Sequence, residues 1–74
     1  MADIRFILDR DHVDLHQLLK LAGIVDSGGA GNALVESGAV AVDGTVESRK
    51  SRKLRGGELV EVHGQRIAVV AAGG

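Results

Sequence analysis

The chain has 74 residues, 9 Lys+Arg against 10 Asp+Glu, 45% hydrophobic residues, a single aromatic (Phe6) and no cysteine. That length holds one domain, which buries only about 60% of its unfolded surface. The missing cysteines exclude disulfide bracing and thiolate zinc sites.

Ile4 to Leu8 alternates, with Ile4, Phe6 and Leu8 on one side, and predicts a strand. A polar connection, Asp9-Arg10-Asp11-His12, leads to Asp14, which has the character of a helix N-cap with Gln17 completing a capping box. Leu15, Leu18, Leu19 and Ala22 then recur at the spacing of one apolar helix face, and Gly23 suits a left-handed terminator. Ile24-Val25-Asp26 is a turn. Ser27 is the next N-cap, Ala30, Ala33, Leu34 and Ser37 repeat the helical spacing, and Gly38 ends the second helix. The remainder predicts strand. Ala39 to Val42 runs into Asp43-Gly44, a strong hairpin signal, and Thr45-Val46-Glu47 returns. The segment from Arg49 falls on a loop or an exposed edge. Gly56-Gly57 turns the chain, Leu59 to His63 alternates, Gly64-Gln65 turns again, and Arg66 to Val70 closes the sheet. The expected architecture is α+β: two short helices, arranged like a helix-turn-helix, on a small and mostly antiparallel sheet. One domain spans 1–74, with its core at about 4–70 and a frayed tail at 71–74.

The longest apolar run, Ile67 to Ala72, is six residues, whereas a membrane span needs about 20. The N-terminus lacks the pattern of a secretory signal. A soluble, cytoplasmic protein is expected, with no membrane partner, and a monomer is the default.

Charge is distributed unevenly. Residues 1–48 carry three basic side chains against eight acidic ones, whereas Arg49-Lys50-Ser51-Arg52-Lys53-Leu54-Arg55 gathers five of the nine basic residues. A charge run is usually a solvated loop, but concentration against an acidic background favours a patch that meets phosphate. On an extended segment, Arg49, Lys53 and Arg55 would share one face and Lys50 and Arg52 the other. Without aromatic platforms the chain cannot stack single-stranded bases, so a nucleic-acid partner would be gripped by backbone and shape.

The second feature is Ser27-Gly28-Gly29-Ala30-Gly31-Asn32. Glycines are poor helix formers, each up to about 1 kcal/mol worse than Ala. Either they let a phosphate approach bare amides at a helix N-terminus, or they let the two helices cross closely. No Gly-Lys-Ser/Thr follows, and Leu34 stands where a dinucleotide fingerprint wants its third glycine. His12, His16 and His63 fit exposed surface positions better than a metal site. No nucleophile–base pairing is evident, so neither catalysis, nor a cofactor, nor a small-molecule substrate is expected.

Taken together, Val13 to Lys20, Ser27-Gly28-Gly29, Glu36 to Gly44, Glu47 to Leu54 and Gly57-Glu58-Leu59-Val60 resemble the ribosomal protein S4-type RNA-binding domain, in particular its small stand-alone bacterial members, the YbcJ-like proteins. The resemblance covers about residues 4–70 in order and spacing. It implies a non-catalytic module of the S4-type (αL) fold that binds structured RNA, ribosomal or transfer RNA among the candidates. By position it implies an RNA-facing surface with Lys20, Ser27, Gly28, Gly29 and Asn32 on the helix pair. Arg49, Lys50, Arg52 and Lys53 follow the hairpin whose turn is Asp43-Gly44, and Arg55 extends the charge run. Two positions depart from the family pattern. Asn32 stands where relatives usually have Lys or Arg, and Ala30 where they often have Glu or Gln.

The terminal Gly73-Gly74 also resembles the tail of ubiquitin-like sulfur carriers. That family needs one long helix, whereas this chain breaks at Gly23 and restarts at Ser27. A protein–protein adaptor, with the basic segment meeting an acidic surface, is the third reading.

Overall fold

The computed structural model of the chain describes residues 3–72. Its elements are β1 (Asp3–Leu8), β2 (Val13–Asp14), α1 (Leu15–Leu21), α2 (Gly28–Glu36), β3 (Val40–Val42), β4 (Thr45–Val46), β5 (Lys53–Leu54), β6 (Leu59–Val62) and β7 (Gln65–Ala71). The α+β architecture is as expected. Five strands form one sheet in the order β1-β7-β6-β3-β4, and β2 and β5 form a separate two-stranded ladder. All pairings are antiparallel except β1 with β7, which run parallel from Asp3↔Arg66 to Leu8↔Ala71.

The strands form because their alternation has an interior to face. Val40, Val42, Val60, Val62, Ile67 and Val69 are buried on one side of the sheet, and Leu15, Leu18 and Leu19 of α1 with Val35 of α2 belong to the same cluster. Each such side chain gains about 1.5–3 kcal/mol from full burial. Phe6 is only partly buried against this cluster, so the core is aliphatic.

Just past its C-cap Ala22, helix α1 is terminated by Gly23, whose φ of +80° is the left-handed conformation expected there. Ser27 caps α2, its hydroxyl accepting from the Ala30 amide at 3.1 Å. The buried face of α2 is not the one its alanines suggest. Gly31 and Val35 are buried, whereas Ala33 and Ser37 are exposed. A glycine carries no hydrophobic signal, so the spacing rule missed the position where the helices touch. A Cβ on Gly31 would lie 2.7 Å from the carbonyl oxygen of His16, closer than packed atoms tolerate.

Asp14 occupies the N-cap position of α1, but its side chain makes no capping bond. The capping box with Gln17 is therefore absent. At Asp43-Gly44 both φ values are positive, 52° and 84°, as a two-residue type I′ hairpin requires. The next hairpin turns at His63-Gly64 (φ 49° and 74°) rather than Gly64-Gln65, because Gln65 is needed to pair with Val62. Ala71, expected in a frayed tail, instead ends β7 opposite Leu8. Gly73-Gly74 lie outside the described residues. The two separate helices rule against the single long helix of a ubiquitin-like carrier.

Candidate nucleic-acid interface

The basic segment is not extended. The Arg52 amide donates to the Arg49 carbonyl at 3.2 Å, folding residues 49–52 into a turn. Beyond it β5 pairs with β2, setting Leu54 against Val13 and Lys53 against Asp14. Leu54 and Val13 are both buried, which anchors the downstream end of the loop.

Helix α1 holds the loop from the other side. A helix leaves its first amides without internal partners. Here Leu15 N–H donates to the Arg52 carbonyl at 2.9 Å and His16 N–H to the Lys50 carbonyl at 3.1 Å. The His16 ring reinforces this, its Nδ1 lying 2.8 Å from the same Lys50 oxygen. A carbonyl only accepts, so Nδ1 carries the hydrogen. The loop thus caps the helix, and the Asp14 carboxylate is released to meet Lys53 Nζ at 3.4 Å. That carboxylate faces Lys53 instead of the helix, and no capping box forms. His16 is half-buried and structural, rather than a plain surface histidine.

Glu47 lies inside the loop and is only 8% exposed. Its own amide donates to Val40 O at 3.0 Å. One carboxylate oxygen accepts from the Arg49 backbone amide at 3.0 Å and Arg49 Nε at 3.4 Å, and the other accepts from Arg52 Nη1 at 3.0 Å. These bonds, led by the Arg49 amide and opposed by burial, hold the carboxyl down at a pKa of about 2 against an ordinary 4.5. Glu47 is therefore an anion throughout the physiological range.

The result is an open depression of about 830 Å³ lined by Glu36, Ser48, Arg49, Lys50, Ser51, Arg52 and Lys53. Four of the five cations of the run meet there, because the turn at 49–52 removes the two-face alternation that an extended chain would impose. Arg55 lies elsewhere, bonded to Asp11 at 2.9 Å. Asp11 is held below the usual carboxylate range by His12 first and Arg55 second. A smaller depression of about 250 Å³ is lined by Arg10, His16, Gln17, Lys20, Leu21 and Gly28. His16 lines this one and bonds to Lys50 of the other, so the two are neighbours.

Within the glycine-rich start of α2 the two readings divide by residue. Gly31 serves the helix crossing, whereas Cβ atoms on Gly28 and Gly29 would meet nothing within 4 Å. Packing gives no reason for those two glycines. Asn32 turns its Oδ1 into the protein, where that atom has no hydrogen-bond partner. Asp43-Gly44 lines neither depression, and the Asp43 carboxylate accepts from Leu59 N–H at 3.0 Å.

Several of the cations already have partners: Arg49 and Arg52 share Glu47, and Lys53 meets Asp14. The Lys53–Asp14 pair is largely exposed and contributes about 0–1 kcal/mol, and the buried Glu47 takes only one side-chain N–H from each arginine, so all three cations keep donors for a further anion. Among the described residues Lys20 and Lys50 have no ion pair. Sequence reasoning assigned no part in the site to Arg10, His16, Glu36 or Glu47. The one available signal was an acid placed two residues ahead of a basic run. His16 gave none, since its partner is a backbone carbonyl 34 positions away.

The chain matches the S4 domain over residues 6–70. It is 43% identical over 60 residues to YbcJ of Escherichia coli (strain K12), covering 81% of this chain and 86% of that protein. It is 35% identical over 57 residues to the "Probable ribosome maturation protein RlbA" of Bacillus subtilis (strain 168), covering 77% of this chain and 80% of the other. In three dimensions it is similar to the solution structure of YbcJ from E. coli, described as having an αL motif involved in RNA binding. The TM-score is 0.70 and the identity 41%, over 90% of this chain and 86% of that one. A match over nearly the whole chain, joined to a shared helix pair and sheet, makes this protein a member of the S4 domain family.

Proposed function

We propose that the protein binds structured RNA in the cytoplasm without catalysing a reaction, and that the binding surface comprises the two neighbouring depressions. The observation that carries this reading is the convergence of Arg49, Lys50, Arg52 and Lys53 on one open depression in a chain of formal charge −1. Their guanidinium and ammonium groups contact phosphates. Lys20 and the open amides at Gly28 and Gly29, at the capped start of α2, receive a further phosphate or ribose. Asn32 supplies at most its amide donor, since its oxygen faces inward. Asp43-Gly44 shapes the hairpin that leads into the loop, and Arg55 adds to the field from outside the depression. The absence of aromatic platforms favours folded over single-stranded RNA, and ribosomal RNA is the first candidate on the name of the RlbA relative.

The test is a filter-binding series over a range of salt. Replacing both Arg52 and Lys53 with Ala should weaken binding to all structured RNAs alike. The slope of log K against log salt should flatten by up to ~0.9 per lost phosphate contact, with duplex DNA as the upper guide. Unchanged affinity and slope would remove the depression from the interface. Crosslinking in cells and sequencing of the recovered RNA should enrich ribosomal RNA; recovery of transfer RNA alone would redirect the assignment.

A further inference from the structure

Glu47 is a buried anion bonded to two arginines that line a depression whose proposed ligand is a polyanion. On charge alone it is in the wrong place, since it cancels one of the few positive charges of the loop. Burying a carboxylate also requires that its oxygens be satisfied. Here both are, and every donor comes from the segment that lines the depression: Arg49 through its amide and Nε, and Arg52 through Nη1. Glu47 is itself fixed to the sheet by its amide bond to Val40. The carboxylate therefore connects the sheet to the two arginines.

We infer that Glu47 is a positioning residue for polyanion binding, holding Arg49 and Arg52 in the orientation that phosphates of structured RNA require. The inference rests on the RNA-binding reading above. Arginine has high rotamer entropy, and each long side chain ordered only on binding reduces affinity. Glu47 fixes two of them beforehand. Each guanidinium presents five N–H groups. Glu47 takes one from each side chain, which leaves the others for phosphate. Arg52 remains 33% exposed and Arg49 77% exposed at the side chain, so both can be reached by a ligand.

A purely electrostatic role and a positioning role predict opposite signs. E47Q raises the net charge by one. If charge alone matters, the variant binds RNA more tightly and with a steeper salt slope. If positioning matters, it binds more weakly, because the Gln amide group turns a donor toward arginines that have only donors to offer. E47D keeps the charge but shortens the reach to the same groups.

The experiment is titration of a fluorescently labelled stem-loop RNA with wild type, E47Q and E47D. Each is measured well below its own melting temperature, with circular dichroism confirming the fold. The expected result is roughly tenfold weaker binding for E47Q, the loss that two newly disordered arginines would produce. Its salt slope should be no steeper than that of wild type, and E47D should also bind more weakly. Equal or tighter RNA binding by folded E47Q overturns the inference. Should E47Q not fold, E47D decides, and wild-type affinity in that variant overturns it as well. Failure of the wild type itself to bind structured RNA is a different outcome. It removes the RNA-binding reading, and the inference falls with it.

Discussion

Two stretches of this chain, the loop and short strand at 47–55 and the hairpin of β6 and β7 at 59–71, are held in place by different means. The hairpin is held by aliphatic burial: Val60, Val62, Ile67 and Val69 are almost fully inaccessible. The loop has one such anchor, Leu54. Otherwise it is fixed by polar contacts to Glu47, His16 and Asp14. Burial is non-directional and large, whereas hydrogen bonds are directional and contribute about 0.5–1.5 kcal/mol net. The hairpin therefore supplies stability and the loop supplies orientation. A protein arranged in this way can lose its interface without losing its fold.

The strongest challenge to that separation is at the helix crossing, where the two systems meet. Gly31→Ala forces a Cβ against the His16 backbone. It should destabilise by about 1–3 kcal/mol, as overpacking does, and lower the melting temperature by roughly 4 °C or more. Because His16 carries the loop, RNA affinity should fall with it. A variant that melts normally would show that the helices can separate freely.

His16→Ala is a narrower cut. It removes the ring bond to Lys50 but leaves the backbone bond, so stability should fall by about 1 kcal/mol. Backbone amides of residues 49–52 should exchange faster while those of β6 and β7 stay protected. Equal loss of protection in both regions would contradict the separation.

Gly29→Asp should move the two properties in opposite directions. The position is open, and an acidic residue in the first turn favours a helix by about 0.3–1 kcal/mol. Thermal stability should hold or rise while RNA binding weakens by repulsion. Equal losses of both would restore a packing role for this glycine.

The last test varies pH. The Glu47 carboxyl has a folded pKa of about 2 against 4.5, so the unfolded chain takes up its proton first as pH falls. Its contribution is complete above about pH 4.5 and is lost on descending to about pH 2. The difference in melting temperature between wild type and E47Q should narrow across that window and be flat above it.

Much of the fold could be read from the sequence because it rests on local signals. Ser27, Gly23 and Asp43-Gly44 act within a few residues of themselves, and the aliphatic strands have a visible period. What escaped was non-local or silent. Strands β2 and β5 have two residues each, too few for any period. The diversion of Asp14 to Lys53 depends on a partner 39 positions away. Gly31 packs through the absence of a side chain, which hydrophobic spacing cannot register. The basic run was plain, but its geometry was not. Alternation divided it into two faces, whereas the turn at 49–52 gathers Arg49, Lys50, Arg52 and Lys53 and leaves Arg55 out. Glu47 was hidden because a carboxylate reads as solvent-exposed unless its partners are known.

The parallel union of β1 with β7 has a consequence for how the molecule comes to be folded. Partners such as Asp3 and Arg66 are separated by nearly the entire chain, and contacts so distant form late. On the ribosome, β1 emerges long before β7, its one strand partner among the described residues. Ile4 and Phe6 stay uncovered for that interval, a window in which nascent chains are prone to associate. Synthesis of the last strand, rather than of either helix, is what completes the domain.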